Sequence, residues 1–529
     1  MYATHRVKDN SNNTIGFVLD NKDFYPSYFV QKHIRYIDNL SLIKGDIIRA
    51  KQKLQDCKYT DIINKKIYEK LRKENPFYRD IQAELLEWKN DSHNSILQLE
   101  GTRQVGKTTE VQKFAYKNYE FIIYVNIAND KHDFISVIKS PRMISEMQSY
   151  CRRALLPDFV NNRNTILIID EIQNSPEVYN SIRSIRSEFK CDIIVTGSYL
   201  GRVLGNKEFF IPAGTIESKQ LFTLSFREFC TIYKKDKLLD NISLYGESNP
   251  KEYKTLESLY NIYKQIGGYP EVIKRYIKTQ NIELCYEVID NLLKTFKEES
   301  RNYFNSPRDV EIFESVYREA LKEMCYEKKG TGNNIIERVT QLTKNSTNLM
   351  VNKNEIANVI MWLQYTGVIS TCDLAEKGDI RNIIHSRRMY FSDCGLVAYL
   401  ASKSTLDESA LAGILTETFV FNELYRLFKV RYSKREVRNE NVCFSILDNY
   451  ELDFVVMSKD KTVYGIEVKT NRGDATSLKV FISKHLIDKG VKAVLTNGGK
   501  GGLFDTIPIY TVGCRFPYNW YYDFVYRSN

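Results

Sequence analysis

Gly101-Thr102-Arg103-Gln104-Val105-Gly106-Lys107-Thr108 is the stretch on which the reading of this chain turns. It lies between an alternating apolar run, Ser95 to Glu100, and a helical pattern that opens at Lys107. Two glycines bracketing four residues let a backbone turn tightly enough to aim several N–H groups at one anion. Lys107 is placed to reach the β- and γ-phosphates of a nucleotide, and the Thr108 hydroxyl to take one Mg²⁺ position. The helix that follows presents its positive N-terminal end to the same phosphates. Residues 101–108, with Thr109 beside them, are the expected ATP-binding set.

A second motif supports the first. In Thr165-Ile166-Leu167-Ile168-Ile169-Asp170-Glu171 an apolar run predicts a buried strand, and ligands bind at the C-terminal ends of parallel strands. Asp170 is expected to hold Mg²⁺ through water, and Glu171 to orient or deprotonate the attacking water. A further strand ends at Thr196-Gly197-Ser198, which brings Ser198 to the same sheet edge as a sensor of the γ-phosphate.

The chain has 529 residues, too many for one hydrophobic core. Hydrophobic residues at 43% and charged residues at 27% describe a soluble globular protein. A net charge of +10 is compatible with nucleic acid without demanding it. Ten cysteines are scattered without a C-x-x-C pair, and six histidines form no zinc pattern, so reduced thiols and a cytoplasmic setting are expected. The N-terminus lacks the apolar core of a signal peptide, and no apolar run is long enough to span a bilayer.

The fold class is α/β. Residues 1–57 read as a small N-terminal α/β module, with a strand at Thr14 to Leu19, a turn at 20–23 and a helix over 25–39; it is a candidate docking piece for a protein partner. A helical linker follows over 58–90. Residues 91–230 alternate strand and helix, as a parallel sheet requires. Their expected strands are 96–99, 121–127, 165–169, 192–196 and 220–224. Ser175 and Pro176 open a helix whose stripe is Val178, Ile182, Ile185 and Phe189. Residues 231–300 read as a helical lid and 301–405 as winged-helix-like, with a helix over 353–365 and a short strand after Gly367. Such a unit can enter a DNA major groove, but its last helix carries Lys353 and few other cations, so packing between domains is an equal alternative.

The loop at 101–108, Asp170-Glu171-Ile172-Gln173 and Thr196-Gly197-Ser198 together resemble a family of bacterial and archaeal AAA-type ATPases with a C-terminal domain of unknown function. Pro212-Ala213-Gly214, Leu224-Ser225-Phe226-Arg227-Glu228-Phe229, Gly267-Gly268-Tyr269-Pro270-Glu271 and Tyr390-Phe391-Ser392-Asp393-Cys394-Gly395-Leu396 match it in the same order. The resemblance implies ATP and Mg²⁺ as cofactors and leaves oligomerisation open. Thr215 stands where the family often has arginine, so an arginine acting in trans has to come from elsewhere; Arg202 and Arg227 are the nearest.

Residues 406–529 hold a second constellation. Asp453 lies in Tyr450-Glu451-Leu452-Asp453-Phe454, and Glu467 and Lys469 in Tyr464-Gly465-Ile466-Glu467-Val468-Lys469. On period-2 strands Glu467 and Lys469 share a face, and a three-residue connection over 459–461 sets Asp453 opposite Glu467. Two carboxylates beside an ammonium suit a divalent ion, Mg²⁺ or Mn²⁺, that activates water against a phosphodiester. The arrangement resembles the PD-(D/E)XK nuclease core, in which a helical glutamate completes the metal site. Glu417 is the candidate for that role and Glu423 the second choice. The expected protein is an ATPase that couples nucleotide state to a nuclease-like domain acting on DNA. The alternatives are an ATP-driven switch whose C-terminal domain binds nucleic acid or protein without cutting, and a module of a larger assembly.

Overall fold

A computed structural model describes residues 3–8, 13–19, 24–26 and 55–513, apart from 92–94, 131–132, 141–145, 148, 152–159, 199–215, 301–306, 327–334, 347–349, 381, 405, 433–441, 459–460, 471–472 and 496. At the N-terminus β1 (Ala3–Lys8), β2 (Thr14–Leu19), β3 (Phe24–Pro26) and β4 (Gln55–Lys58) form one sheet in the order β3-β2-β1-β4. The expected turn at 20–23 and most of the helix expected over 25–39 fall outside the described residues, while Tyr25 and Pro26 belong to β3.

Helices α1 (Tyr59–Glu74) and α2 (Ile81–Asn90), separated by Asn75 and Pro76, lead into the second sheet. Its strands are β5 (Ile96–Glu100), β6 (Phe121–Asn126), β7 (Thr165–Asp170), β8 (Asp192–Thr196) and β9 (Ile216–Gln220), all parallel, in the order β6-β7-β8-β5-β9. Side chains alternate between its faces. Leu97, Leu99, Ile166, Ile168 and Ile194 enter one core; Ile96, Ile123, Leu167, Ile169, Ile193 and Val195 enter the other. Both faces are therefore covered: α3 (Lys107–Asn118) packs its Val111 and Phe114 on the first. On the second lie α4 (Phe134–Lys139), α5 (Pro176–Asn180) and α6 (Ile182–Glu188). Ser175 caps α5 by accepting from the Val178 amide, and the expected stripe is buried, though the helix is broken in two at Ser181.

The last strand corrects the expectation of a strand over 220–224. Residues 216–220 pair with β5 instead, because an edge strand tolerates Glu217, Ser218 and Lys219. Leu221, Thr223 and Leu224 are buried in irregular backbone whose polar groups are taken by distant partners: the Leu224 amide donates to the Gly268 carbonyl at 2.7 Å.

Next come α7 (Phe226–Ile232), α8 (Asp236–Asn241), α9 (Pro250–Ile266), α10 (Pro270–Thr279) and α11 (Ile282–Ser300). Asn249 and Glu252 form a capping box at the start of α9, with Pro250 at its first position. Three packed helices follow, α12 (Pro307–Tyr326), α13 (Ile335–Ser346) and α14 (Lys353–Tyr365), then the antiparallel pair β10 (Ile369–Ala375) and β11 (Ile383–Phe391). Lys353 of α14 is already paired with Glu337 at 2.6 Å.

After α15 (Cys394–Ser402) and the long α16 (Glu408–Tyr432) come β12 (Cys443–Leu447), β13 (Tyr450–Met457), β14 (Val463–Lys469), α17 (Thr476–Ser483), β15 (Lys489–Val494) and β16 (Phe504–Pro508). Strands β12, β13 and β14 run antiparallel, and β15 lies parallel to β14. Strand β10 pairs with β12, so one seven-stranded sheet, β11-β10-β12-β13-β14-β15-β16, crosses the boundary expected at 405/406. A single apolar core runs from Phe77 to Val512 through the parallel sheet, the helices and this third sheet. No described helix is long and apolar enough to cross a membrane.

Candidate functional site

The phosphate loop joins β5 to α3, at the C-terminal edge of the parallel sheet. Gly106 takes a left-handed φ of 99°, and a Cβ on Gly101 would lie 2.2 Å from the Leu221 carbonyl oxygen, so both positions require glycine. Lys107 donates to the carbonyls of Gly101 at 2.9 Å and Thr102 at 3.0 Å, and to the Ser198 hydroxyl at 2.9 Å. Burial pulls its pKa down to about 8, against the opposing pull of Glu171 and Asp170. Lys107, Thr108, Asp170 and Ser198 thus converge across three strand ends.

Asp170 collects donors. Its Oδ2 accepts from the Thr108 hydroxyl at 2.8 Å and the Tyr124 hydroxyl at 2.7 Å, and its Oδ1 from Thr196 and the Glu171 amide. A hydroxyl and a carboxylate held edge to edge fit Mg²⁺, which takes few protein oxygens and completes its shell with water and phosphate. Glu171 has a left-handed backbone, φ 54°, and its Oε2 accepts from Gln173 at 2.5 Å. Such a backbone at a residue with a side chain costs roughly 1–3 kcal/mol, and the Glu171 charge is felt at the Lys107 ammonium of the loop.

Tyr124 and Arg79 lie outside every quoted motif, and Thr196, Thr102 and Arg103 make contacts that their motifs did not announce. Tyr124 and Thr196 reach Asp170 from neighbouring strands; a hydroxyl near the end of a strand next to β7 was the available signal. Arg79, just before α2, donates to the Val105 carbonyl of the loop at 2.9 Å, to the Phe222 carbonyl at 2.5 Å and to Glu228 at 3.2 Å. The Thr102 hydroxyl donates to the Gly367 carbonyl at 3.0 Å, and Arg103 pairs with Glu299 of α11, so the far helices touch the loop directly. Of the two arginines proposed to act in trans, Arg227 is buried and bound to Asp240 at 2.8 Å. Arg202 and residues 212–215 lie outside the described residues.

In the third sheet β13 and β14 pair with Phe454 opposite Ile466 and Val455 opposite Gly465, which makes Asp453 and Glu467 the next rung. The Ser458 amide donates to the Thr462 carbonyl at 3.0 Å and Lys461 has a φ of 68°, while residues 459 and 460 of the expected connection lie outside the described residues. Lys469 binds Glu467 Oε1 at 2.8 Å, and Asp453 Oδ2 accepts from the Val468 amide at 2.7 Å. Partial burial works against the Lys469 ammonium, yet the hydrogen bond and charge of Glu467, with Asp453 and Glu417 behind, hold its pKa above the ordinary lysine value. Glu417 on α16 therefore faces this cluster; the Tyr390 hydroxyl lies 3.5 Å from its Oε2.

Glu423 does not belong here. It is buried six residues further along α16, paired with Arg426 at 3.2 Å and accepting from the Phe226 amide. Among the described residues no three His, Cys, Asp or Glu groups stand together as a ready metal site, so the expected set of Glu417, Asp453 and Glu467 is not preassembled. Glu467 Oε2 is buried without a hydrogen-bond partner, a costly position that a divalent ion on the Asp453–Glu467 rung fits.

Residues 93–230 match the family described as AAA domain, and the chain carries an AAA-type ATPase-like domain there. Residues 257–407 and 412–511 match two families described as domains of unknown function. An uncharacterized protein of Haemophilus influenzae is 21% identical over 447 residues, covering 78% of this chain and 91% of that protein. Among solved structures, a Walker-type ATPase of Pyrococcus abyssi is 13% identical with a TM-score of 0.39, covering 61% of this chain and 96% of its own. The RuvB Holliday junction branch migration motor of Thermotoga maritima is 14% identical with a TM-score of 0.25, covering 56% of this chain and 90% of its own.

Proposed function

We propose that the protein binds and hydrolyses ATP at the phosphate loop and couples its nucleotide state to a metal-dependent phosphodiesterase site at Asp453, Glu467 and Lys469 that acts on DNA. The observation that carries the first part is the convergence of Lys107, Thr108, Asp170 and Ser198 on one sheet edge. Lys107 binds the terminal phosphates, the backbone amides of residues 101–109 cradle them, and Ser198 reads the γ-phosphate through Lys107. Thr108 and Asp170 would hold Mg²⁺, which when bound would neutralise phosphate charge. Glu171, presented on its left-handed backbone, orients the attacking water and takes its proton.

The second part rests on the rung that faces Asp453 with Glu467, flanked by Lys469. Asp453 and Glu467 would hold a divalent ion that lowers the pKa of bound water. Lys469 orients the water or the phosphate, and Glu417 approaches from α16. The six-region division expected from sequence stands as a proposal for functional units, not for separately packed ones.

A purified chain incubated with single- and double-stranded DNA and with RNA, with Mg²⁺ or Mn²⁺ and with or without ATP, tests both parts. Lys107→Ala should abolish ATP turnover, and Asp453→Ala should abolish cutting while sparing turnover. Cutting unchanged in Asp453→Ala would refute the nuclease half. The absence of a preassembled carboxylate trio favours one other reading, a nucleotide-driven switch that binds through this domain without cutting. In that case the wild type turns over ATP and cuts nothing.

A further inference from the structure

Three sequence motifs that the two chemical sites do not use meet at one place. They are Leu224 to Phe229, Gly267 to Glu271 and Tyr390 to Leu396. The Leu224 amide donates to the Gly268 carbonyl, and the Gly268 amide donates to Asp393 Oδ2 at 2.8 Å. Approach is so close that a Cβ on Gly267 would lie 1.8 Å from Asp393 Oδ1, and one on Gly268 would lie 2.2 Å from the Leu224 carbonyl oxygen.

Into this junction α16 inserts Glu423 and Arg426. Arg426 donates to the Thr223 hydroxyl at 2.7 Å and to the Tyr263 hydroxyl at 3.3 Å, and pairs with Glu423; Thr223 in turn hydrogen-bonds Asp393. All four polar residues, Thr223, Asp393, Glu423 and Arg426, are buried. Burial pushes both carboxyls above their ordinary range, against the pull of Arg426 and of neighbouring amides. Charges in such a place add little net stability that apolar side chains of similar volume would not supply, and their best-attested use is to fix register.

The segment 222–228 is gripped from both sides. Arg79 ties its Phe222 carbonyl and Glu228 side chain to the Val105 carbonyl of the phosphate loop. Arg426 and Glu423 tie its Thr223 hydroxyl and Phe226 amide to α16. On the same helix, six residues towards the N-terminus and roughly 9 Å away along the axis, stands Glu417. A helix transmits such a shift as a rod.

We infer that Thr223, Asp393, Glu423 and Arg426 form the joint through which the nucleotide state of the phosphate loop sets the position of Glu417 in the C-terminal site. The inference rests on the functional reading above for what Glu417 does, not for whether α16 responds. Movement of a phosphate-bound loop is passed by Arg79 to 222–228, by Thr223 to Arg426, and along α16 to Glu417. Thr223 and Arg426 are positioning residues, with no contact to substrate.

Hydrogen–deuterium exchange of the full chain tests this, comparing nucleotide-free protein with ADP and with a slowly hydrolysed ATP analogue. The wild type should change exchange within Glu408–Tyr432 on binding nucleotide. Thr223→Val, nearly isosteric but without the hydroxyl, should reduce that response about fivefold or more, the lower end of ordinary coupling. ATP turnover should stay within about twofold, and Thr223→Ser should restore the response. Tyr263→Phe, which keeps its ring in place and removes a second partner of Arg426, provides a second variant with the same expectation. A wild-type response persisting in both Thr223→Val and Tyr263→Phe, or a wild-type helix indifferent to nucleotide, overturns the inference. Asp453→Ala separates the two proposals: it removes cutting and leaves the exchange response. A chain that never cuts but shows the response keeps the joint and loses the nuclease.

Discussion

Lys107 makes nucleotide binding depend on pH in a definite direction. Its ammonium is held near 8 by burial, whereas phosphate favours the charged form. Below pH 8 the charge is already present; above it, binding must take up a proton. Affinity should therefore fall as pH rises, by roughly five- to tenfold between pH 7.5 and 9, and Lys107→Ala should flatten the curve. A fluorescent-nucleotide titration at the two pH values, with proton uptake by calorimetry in buffers of different ionisation enthalpy, measures both. Tyr124→Phe keeps the ring and removes one of the donors on Asp170. The Mg²⁺ concentration for half-maximal ATP turnover should rise by roughly tenfold, in keeping with a hydrogen bond to a charged group. An unchanged half-saturation would mean that Tyr124 serves packing alone.

At the scale of elements, contacts within a motif could be read directly and contacts between motifs could not. The loop before α3, the buried strand β7 and the β13–β14 register all follow from spacings of a few residues, so the site residues they carry were legible. The strand expected at 220–224 was not, because an apolar run says that it is buried and not which partner takes its backbone. That partner is Gly268, more than forty residues away, and Arg79 and Arg426 reach the same segment from separations of 143 and 203 residues. Nothing in a local pattern marks such pairings. Glu423 shows the same limit: on the helix it resembled Glu417, and only the packing of Phe226 and Arg426 assigns it elsewhere. Gly268→Ala forces a methyl against the Leu224 carbonyl and should cost about 2–4 kcal/mol, visible as a drop in unfolding midpoint; an unchanged midpoint would mean that the junction yields easily. On the β13–β14 rung, Mn²⁺ added without nucleotide should relax water protons in a Thr108→Ala background. Asp453→Ala added to that background should abolish the effect, whether or not the protein cuts DNA.

Across the whole molecule, the apolar core does not respect the divisions that the sequence suggests. Phe226 packs on Tyr260, Tyr263, Phe419 and Tyr510, so α7, α9 and the C-terminal region share one aromatic pocket. A chain ended at 405 would lose β12 to β16 and α16, and would expose the faces of α9 and α15 that pack there. Each such fully buried side chain represents about 1.5–3 kcal/mol. The truncated protein should aggregate or bind a hydrophobic dye, and its ATP turnover should be lost although every phosphate-site residue is present. Full turnover from a soluble fragment ending at 405 would contradict this. The same shared pocket packs the ATPase-like domain directly on the C-terminal region, which is the setting the proposed joint requires.

Tyr510, whose hydroxyl lies 3.4 Å from the Tyr253 carbonyl, has a consequence for how the protein is made. Phe226 leaves the ribosome nearly three hundred residues before Tyr510 does. At about 5–20 residues per second that interval lasts roughly 15–60 s. Tyr260 and Tyr263 join Phe226 early in that interval and Phe419 later, but the side of the pocket that Tyr510 closes stays open to its end. Slower synthesis of the last third of the chain therefore lengthens the time during which the unfinished core can find a wrong partner.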